Sequence, residues 1–195
     1  MQYNEETPRR AFVKQSMTAA LALSALPAVA ALLNSFPAEA ETLLGGAPVA
    51  ATEKEFRQGV IGPAELSLAT SQIATGKATQ ANAKEFAGFE LTEAIAVTTV
   101  LKDLKTPVPT PDAKAQATLA KIKNTPAGLA FDKAYIQAQL ENHEFLRDLA
   151  EDYLKKSAGK TTPAESQTRH LATLALATFK EHVAITKRIL GELGG

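Results

Sequence analysis

Four side chains of the kinds that bind metals or move protons, Glu65, Glu93, His143 and His182, fall on the apolar stripes of four separate helical patterns. Carboxylates and imidazoles are ligands for iron, manganese or zinc. Four helices in a bundle can aim one such side chain each at a shared centre. A second reading needs no metal. Glu65 with one histidine and Glu93 with the other would satisfy each other's charge as a buried polar network. A di-metal carboxylate site would also carry a Glu three residues ahead of each histidine, and those positions are Leu140 and Phe179. Glu141, Glu144 and Glu181 flank the histidines at spacings that turn them to other faces. The missing pairs favour the network, with a mononuclear metal site as its competitor.

Other chemistry is sparse. Asp132 and Tyr135, in Phe131-Asp132-Lys133-Ala134-Tyr135, stand near the start of a helix, where an Asp serves the helix dipole and free amides. His170 beside Arg169 reads as a solvated surface residue. The sequence holds no Ser/His/Asp arrangement, phosphate-cradling glycine loop or dinucleotide fingerprint. It has no cysteine, which excludes thiolate metal sites and disulfides. It has no tryptophan, so platforms for stacking bases or flat cofactors are few.

The elements that must position the four residues are long amphipathic helices with almost no strand pattern. The first is predicted from about Thr52 to Ala74, with Thr52 and Glu55 as a capping box. Gly62-Pro63 predicts a kink, or a short helix and a new start. The second runs from about Gln80 to Leu104 on a stripe of Phe86, Phe89, Glu93, Val97, Val100 and Leu104. Prolines 107, 109 and 111 stop it, and residues 112–123 form a short connecting helix. The third spans about Leu129 to Lys156, with Ile136, Leu140, His143, Leu146, Ala150 and Tyr153 aligned. The fourth spans about Pro163 to Leu193, through Leu171, Ala175, Thr178, His182, Ile185 and Ile189. Four such helices argue for an all-α four-helix bundle over residues 52–193.

Ahead of the bundle stands a segment with the anatomy of an export signal. Arg9-Arg10-Ala11-Phe12-Val13-Lys14 precedes an apolar run from Met17 to Leu33, closed by Ala38-Glu39-Ala40. The arginine pair resembles a twin-arginine signal, read by a receptor that exports folded proteins. Pro8 departs from that class, which usually has Ser or Thr there. Residues 1–40 are then the signal and residues 41–51, rich in Gly, Ala and Pro, a tether. Cleavage after Ala40 removes Arg9, Arg10 and Lys14 together with Glu5, Glu6 and Glu39, so the net charge stays at zero. Nucleic acid and anionic lipid surfaces are poor partners for such a chain.

Ala130-Phe131-Asp132-Lys133-Ala134-Tyr135 with Gln139 and His143, and Phe179-Lys180-Glu181-His182, resemble the bacterial family known as the domain of unknown function 4142. Glu65-Leu66-Ser67-Leu68-Ala69 and Lys84-Glu85-Phe86-Ala87 extend the likeness, which covers about Thr52 to Leu190. The resemblance implies a ferritin-like four-helix bundle with a short connecting helix between helices two and three. Family members usually carry an Asp-His pair where this chain has Glu93-Ala94, and a proline where it has Ala177. The lost histidine removes one potential ligand.

Together these features predict an exported envelope protein, periplasmic or secreted. It would act without catalysis as a binding or stress-related module. Its partner would be a protein or small molecule, with a homo-oligomer left open. The reading needs no cofactor and no membrane span in the mature chain. Its rival is a metal-binding ferritin-like protein, an oxidase, peroxide-handling protein or carrier, that holds iron, manganese or zinc on Glu65, Glu93, His143 and His182. A third reading places a small apolar ligand between the helices, where Ala172, Ala175, Ala177 and Ala184 leave room.

Overall fold

Thr52 starts the first helix by the exchange its sequence predicts. Its hydroxyl accepts from the Glu55 amide at 3.2 Å, and the Glu55 carboxylate accepts from the Thr52 amide at 2.9 Å. A computed structural model describes residues 48–194. The expected signal, residues 1–40, and most of the expected tether lie outside the described residues.

Among the described residues the fold is all-helical: α1 (Glu53–Lys77), α2 (Ala81–Asp103), α3 (Ala113–Asn124), α4 (Leu129–Lys156) and α5 (Pro163–Glu192). Each start has a local cause. Gln80 and Asp112 accept from the Ala83 and Ala115 amides at 2.6 and 2.7 Å. Thr162 accepts from the Glu165 amide, with Pro163 at the first helical position. Gly128 precedes α4 at φ 122, a conformation that glycine adopts without strain. The proline segment after α2 halts it as expected. Of the two outcomes predicted at Gly62-Pro63, a kink or a new start, the new start does not occur: α1 runs through that proline as one helix. Gly59, four residues earlier, carries no side chain, so α1 approaches α4 closely there: a Cβ on Gly59 would stand 2.7 Å from Leu149 Cδ2.

Helix α1 packs along α2 and against α4, α4 packs along α5, and α3 lies against α1 and α4. No helix among the described residues is long and apolar enough to cross a membrane. Residues at the end of the expected tether are held: Ala50 is fully buried and its amide donates to Asp152 Oδ2 at 2.8 Å.

The core falls into two apolar clusters. One gathers Phe56, Ile61, Leu101, Leu146, Tyr153 and Phe179. The other gathers Ala74, Phe86, Phe131, Tyr135, Ile136 and Ile189. Between these groups each helix also buries polar residues: Ser67, Thr70 and Ser71 on α1, Glu90 on α2, Gln139 and His143 on α4, His182 and Thr186 on α5. The fold thus interposes a polar layer between two apolar ones. Burying those groups is tolerable only where partners meet their hydrogen-bonding needs.

Candidate metal centre

The polar layer is assembled first by α1 and α4. Ser67 donates to Gln139 Oε1 at 2.8 Å, and Gln139 Nε2 donates to Thr70 Oγ1 at 2.9 Å. Ser71 and Tyr135 share a hydrogen bond of 2.9 Å. One turn beyond Gln139, His143 donates Nδ1–H to the Gln139 carbonyl at 2.8 Å. A carbonyl only accepts, so the proton of a neutral His143 sits on Nδ1 and Nε2 presents a lone pair. Phe86 packs edge-on against both imidazoles, with centroids 5.1 Å from His182 and 6.4 Å from His143.

Three atoms converge in this layer. Glu90 Oε2 lies 3.2 Å from His143 Nε2 and 2.9 Å from His182 Nδ1, and the two imidazole nitrogens are 3.1 Å apart. The residues are 3 %, 2 % and 4 % exposed, in the order Glu90, His143, His182. The outer nitrogen of His182, Nε2, stands 3.0 Å from Oε2 of the half-exposed Glu93.

Proton accounting shows what such a triangle lacks. Burial raises the Glu90 carboxyl pKa, but imidazolium charge facing it outweighs burial and lowers it, so Glu90 is a carboxylate at neutral pH. Burial disfavours charge on His182, but Glu90 and Glu93 outweigh it and push its pKa up to about 9. At neutral pH His182 therefore supplies one inward proton, on Nδ1. Two acceptors face that proton, Glu90 Oε2 and His143 Nε2, and Glu90 Oε2 has no aligned hydrogen-bond donor. A buried acceptor left short costs about 1–3 kcal/mol.

A divalent cation would meet all three lone pairs. With ligand bonds of about 2.1 Å, atoms 2.9–3.2 Å apart subtend roughly 90–100° at the ion. That is the spacing of neighbouring octahedral positions, whereas a regular tetrahedron would spread the atoms to about 3.4 Å. Two histidines and one carboxylate on one face, with positions left open, are the ligand set of non-haem iron(II) and its neighbours. The groups that hold a ligating histidine are also in place: the Gln139 carbonyl on His143 Nδ1 and Glu93 beside His182 Nε2.

Of the four residues read from the sequence, His143 and His182 meet at this centre and Glu93 flanks it. Glu65 does not join them. Its carboxylate lies 2.6 Å from Lys102 Nζ at the α1–α2 seam. The residue that completes the triangle, Glu90, was missed. The predicted α2 stripe passed through its larger apolar residues, yet Phe89 and Val100 are 60 % and 42 % exposed. The buried face runs through Ala83, Phe86, Ala87, Glu90, Ala94, Thr98 and Leu101. The alanines at helical spacing were the available signal.

Asp132 is buried and serves the backbone, accepting from the Thr79 amide and hydroxyl at 3.0 and 2.6 Å and from the Gln80 amide at 2.9 Å. It caps the α1–α2 turn rather than its own helix. His170 is exposed.

The family described as Domain of unknown function (DUF4142) matches residues 39–189. No curated protein and no solved structure matches the chain.

Proposed function

The chain belongs to the DUF4142 family, and we propose that it is a metal-binding protein that holds one divalent transition-metal ion on Glu90, His143 and His182. The observation that carries this reading is the buried triangle of lone pairs at 2.9–3.2 Å, for which the surrounding groups provide one inward proton. In this reading α1, α2, α4 and α5 make a ferritin-like four-helix bundle and α3 is its connecting helix. The site is mononuclear, because Leu140 and Phe179 occupy the positions where a second ion would need carboxylates. Iron(II), manganese(II) and zinc(II) all suit nitrogen and carboxylate donors.

The Arg9-Arg10 segment supports export to the periplasm or beyond. A folded export route suits a chain that takes up its ion before it leaves the cytoplasm. The role assigned is holding the ion, as a carrier or binding module. A second reading keeps the centre metal-free, with His182 as an imidazolium between Glu90 and Glu93. The 2.9 and 3.0 Å contacts on its two nitrogens favour it.

Elemental analysis of the purified protein, followed by calorimetric titration with manganese(II), iron(II) and zinc(II), separates the two. The metal reading expects one ion per chain, lost in Glu90→Gln, His143→Ala and His182→Ala and kept in Glu65→Gln. A folded wild-type protein that takes up no ion in either measurement establishes the imidazolium network instead.

A further inference from the structure

A cavity of about 240 Å³ opens between α2 and α5 and reaches the candidate centre. All four long helices contribute to its wall, which is mostly apolar. Val60, Ala94, Val97, Leu146, Ala175 and Phe179 form most of the sides. Glu90, Glu93 and His143 form the polar end, and Leu174, 74 % exposed, belongs to the opposite, open part.

An apolar cavity of about 150 Å³ admits benzene, so this one has room for a molecule of roughly ten non-hydrogen atoms. Its two ends make different demands. Apart from the Ser67 and Thr178 hydroxyls the remaining lining is apolar, so the body of the occupant is mainly hydrocarbon. At the polar end Glu93 Oε2 is buried with His182 Nε2 3.0 Å away but not aligned for a hydrogen bond, and it keeps lone-pair capacity for a donor on an occupant. The ion proposed for Glu90, His143 and His182 keeps open positions for a lone pair. Charge narrows the head group further: the carboxylates of Glu90 and Glu93 already balance a divalent ion, so a third anion would be in excess.

We propose that this cavity is the binding chamber for a small aliphatic or aromatic alcohol. Its hydroxyl oxygen bonds the ion, its hydroxyl proton is donated to Glu93, and its hydrocarbon body fills the space between α2 and α5. The proposal rests on the metal reading above.

The test uses manganese(II) loading, measured first, and then 1-octanol with octanoate as the anionic comparison. Relaxation of the ligand protons by bound manganese(II) reads both occupancy and direction. The expected result is enhancement of the octanol signals, steepest at the carbon bearing oxygen and falling along the chain. Octanoate should bind more weakly. Ala175→Leu, which fills the chamber from a partly buried position, should keep one manganese(II) per chain and weaken octanol binding by at least about tenfold. Manganese(II) bound one to one without graded enhancement, or octanol binding unmoved by Ala175→Leu, overturns the chamber and leaves the metal reading standing. Tighter binding of octanoate overturns the neutral head group. A chain that takes up no manganese(II), iron(II) or zinc(II) fails at the metal reading itself.

Discussion

Gln139 and His143 stand one helical turn apart, and the backbone carbonyl of the first receives the Nδ1 proton of the second at 2.8 Å. The same glutamine is fixed from its other end by Ser67 and Thr70 on α1. The imidazole that meets Glu90 is therefore aimed by a polar zipper between two helices, not by the centre itself. Such a ring should have one tautomer. Nitrogen-detected spectra of the metal-free protein should show His143 with its proton on Nδ1 and a bare Nε2, and metal addition should shift Nε2 alone. A dominant Nε2–H form would remove the lone pair on which the triangle depends.

Proton competition at His182 sets the sign of a second prediction. The ring keeps its proton up to about pH 9 because Glu90 and Glu93 outweigh its burial. A cation needs the Nδ1 lone pair, so each ion bound at neutral pH should release one proton. Apparent affinity should rise about tenfold per pH unit until the ring's own pKa is reached. Calorimetry in two buffers of different ionisation enthalpy measures that proton. Uptake without release would mean that Nδ1 is not a ligand.

Helices and their ends were largely legible in the sequence because the signals are local. Thr52 with Glu55, the prolines after α2 and the stripe through Ile136, His143 and Tyr153 depend on neighbours a turn away. Glu90 was not legible by the same means. Its face on α2 is built from Ala83, Ala87 and Ala94, which bury little area each but let α1 pack close. A reading that weights large apolar residues turns the helix toward Phe89 and picks Glu93 instead. Glu65 was misplaced for a related reason: its contact with Lys102 joins two helices and leaves no mark in either periodicity.

That account of α2 makes a paired prediction. Ala87 is fully buried, so Ala87→Leu overfills a close contact and should cost about 1–3 kcal/mol. Phe89 is 60 % exposed, and Phe89→Ser should stay within about 0.5 kcal/mol of wild type. Urea unfolding of both variants decides. A larger loss at Phe89 than at Ala87 would restore the stripe through the bulky residues and move Glu90 off the core.

At the other end of the bundle, Glu165 joins three elements with one carboxylate. It accepts from the Tyr153 hydroxyl at 2.8 Å and the Glu53 amide at 3.4 Å, and Lys160 Nζ lies 3.5 Å away. Burial alone would raise its pKa, but these partners outweigh burial and hold it below the ordinary value of 4.5. A depressed carboxyl contributes stability that is fully present above the unfolded value and lost as pH falls through the folded one. The wild-type thermal midpoint should therefore begin to drop below about pH 4.5. Glu165→Gln keeps the shape but not the charge, so its midpoint should be lower at neutral pH and fall less steeply in acid. The comparison is a set of thermal melts across the acid range, made with chelator present so that the metal centre does not contribute. Parallel curves for the two proteins would mean that Glu165 does not carry this ionic tie between the start of α1 and the α4–α5 turn.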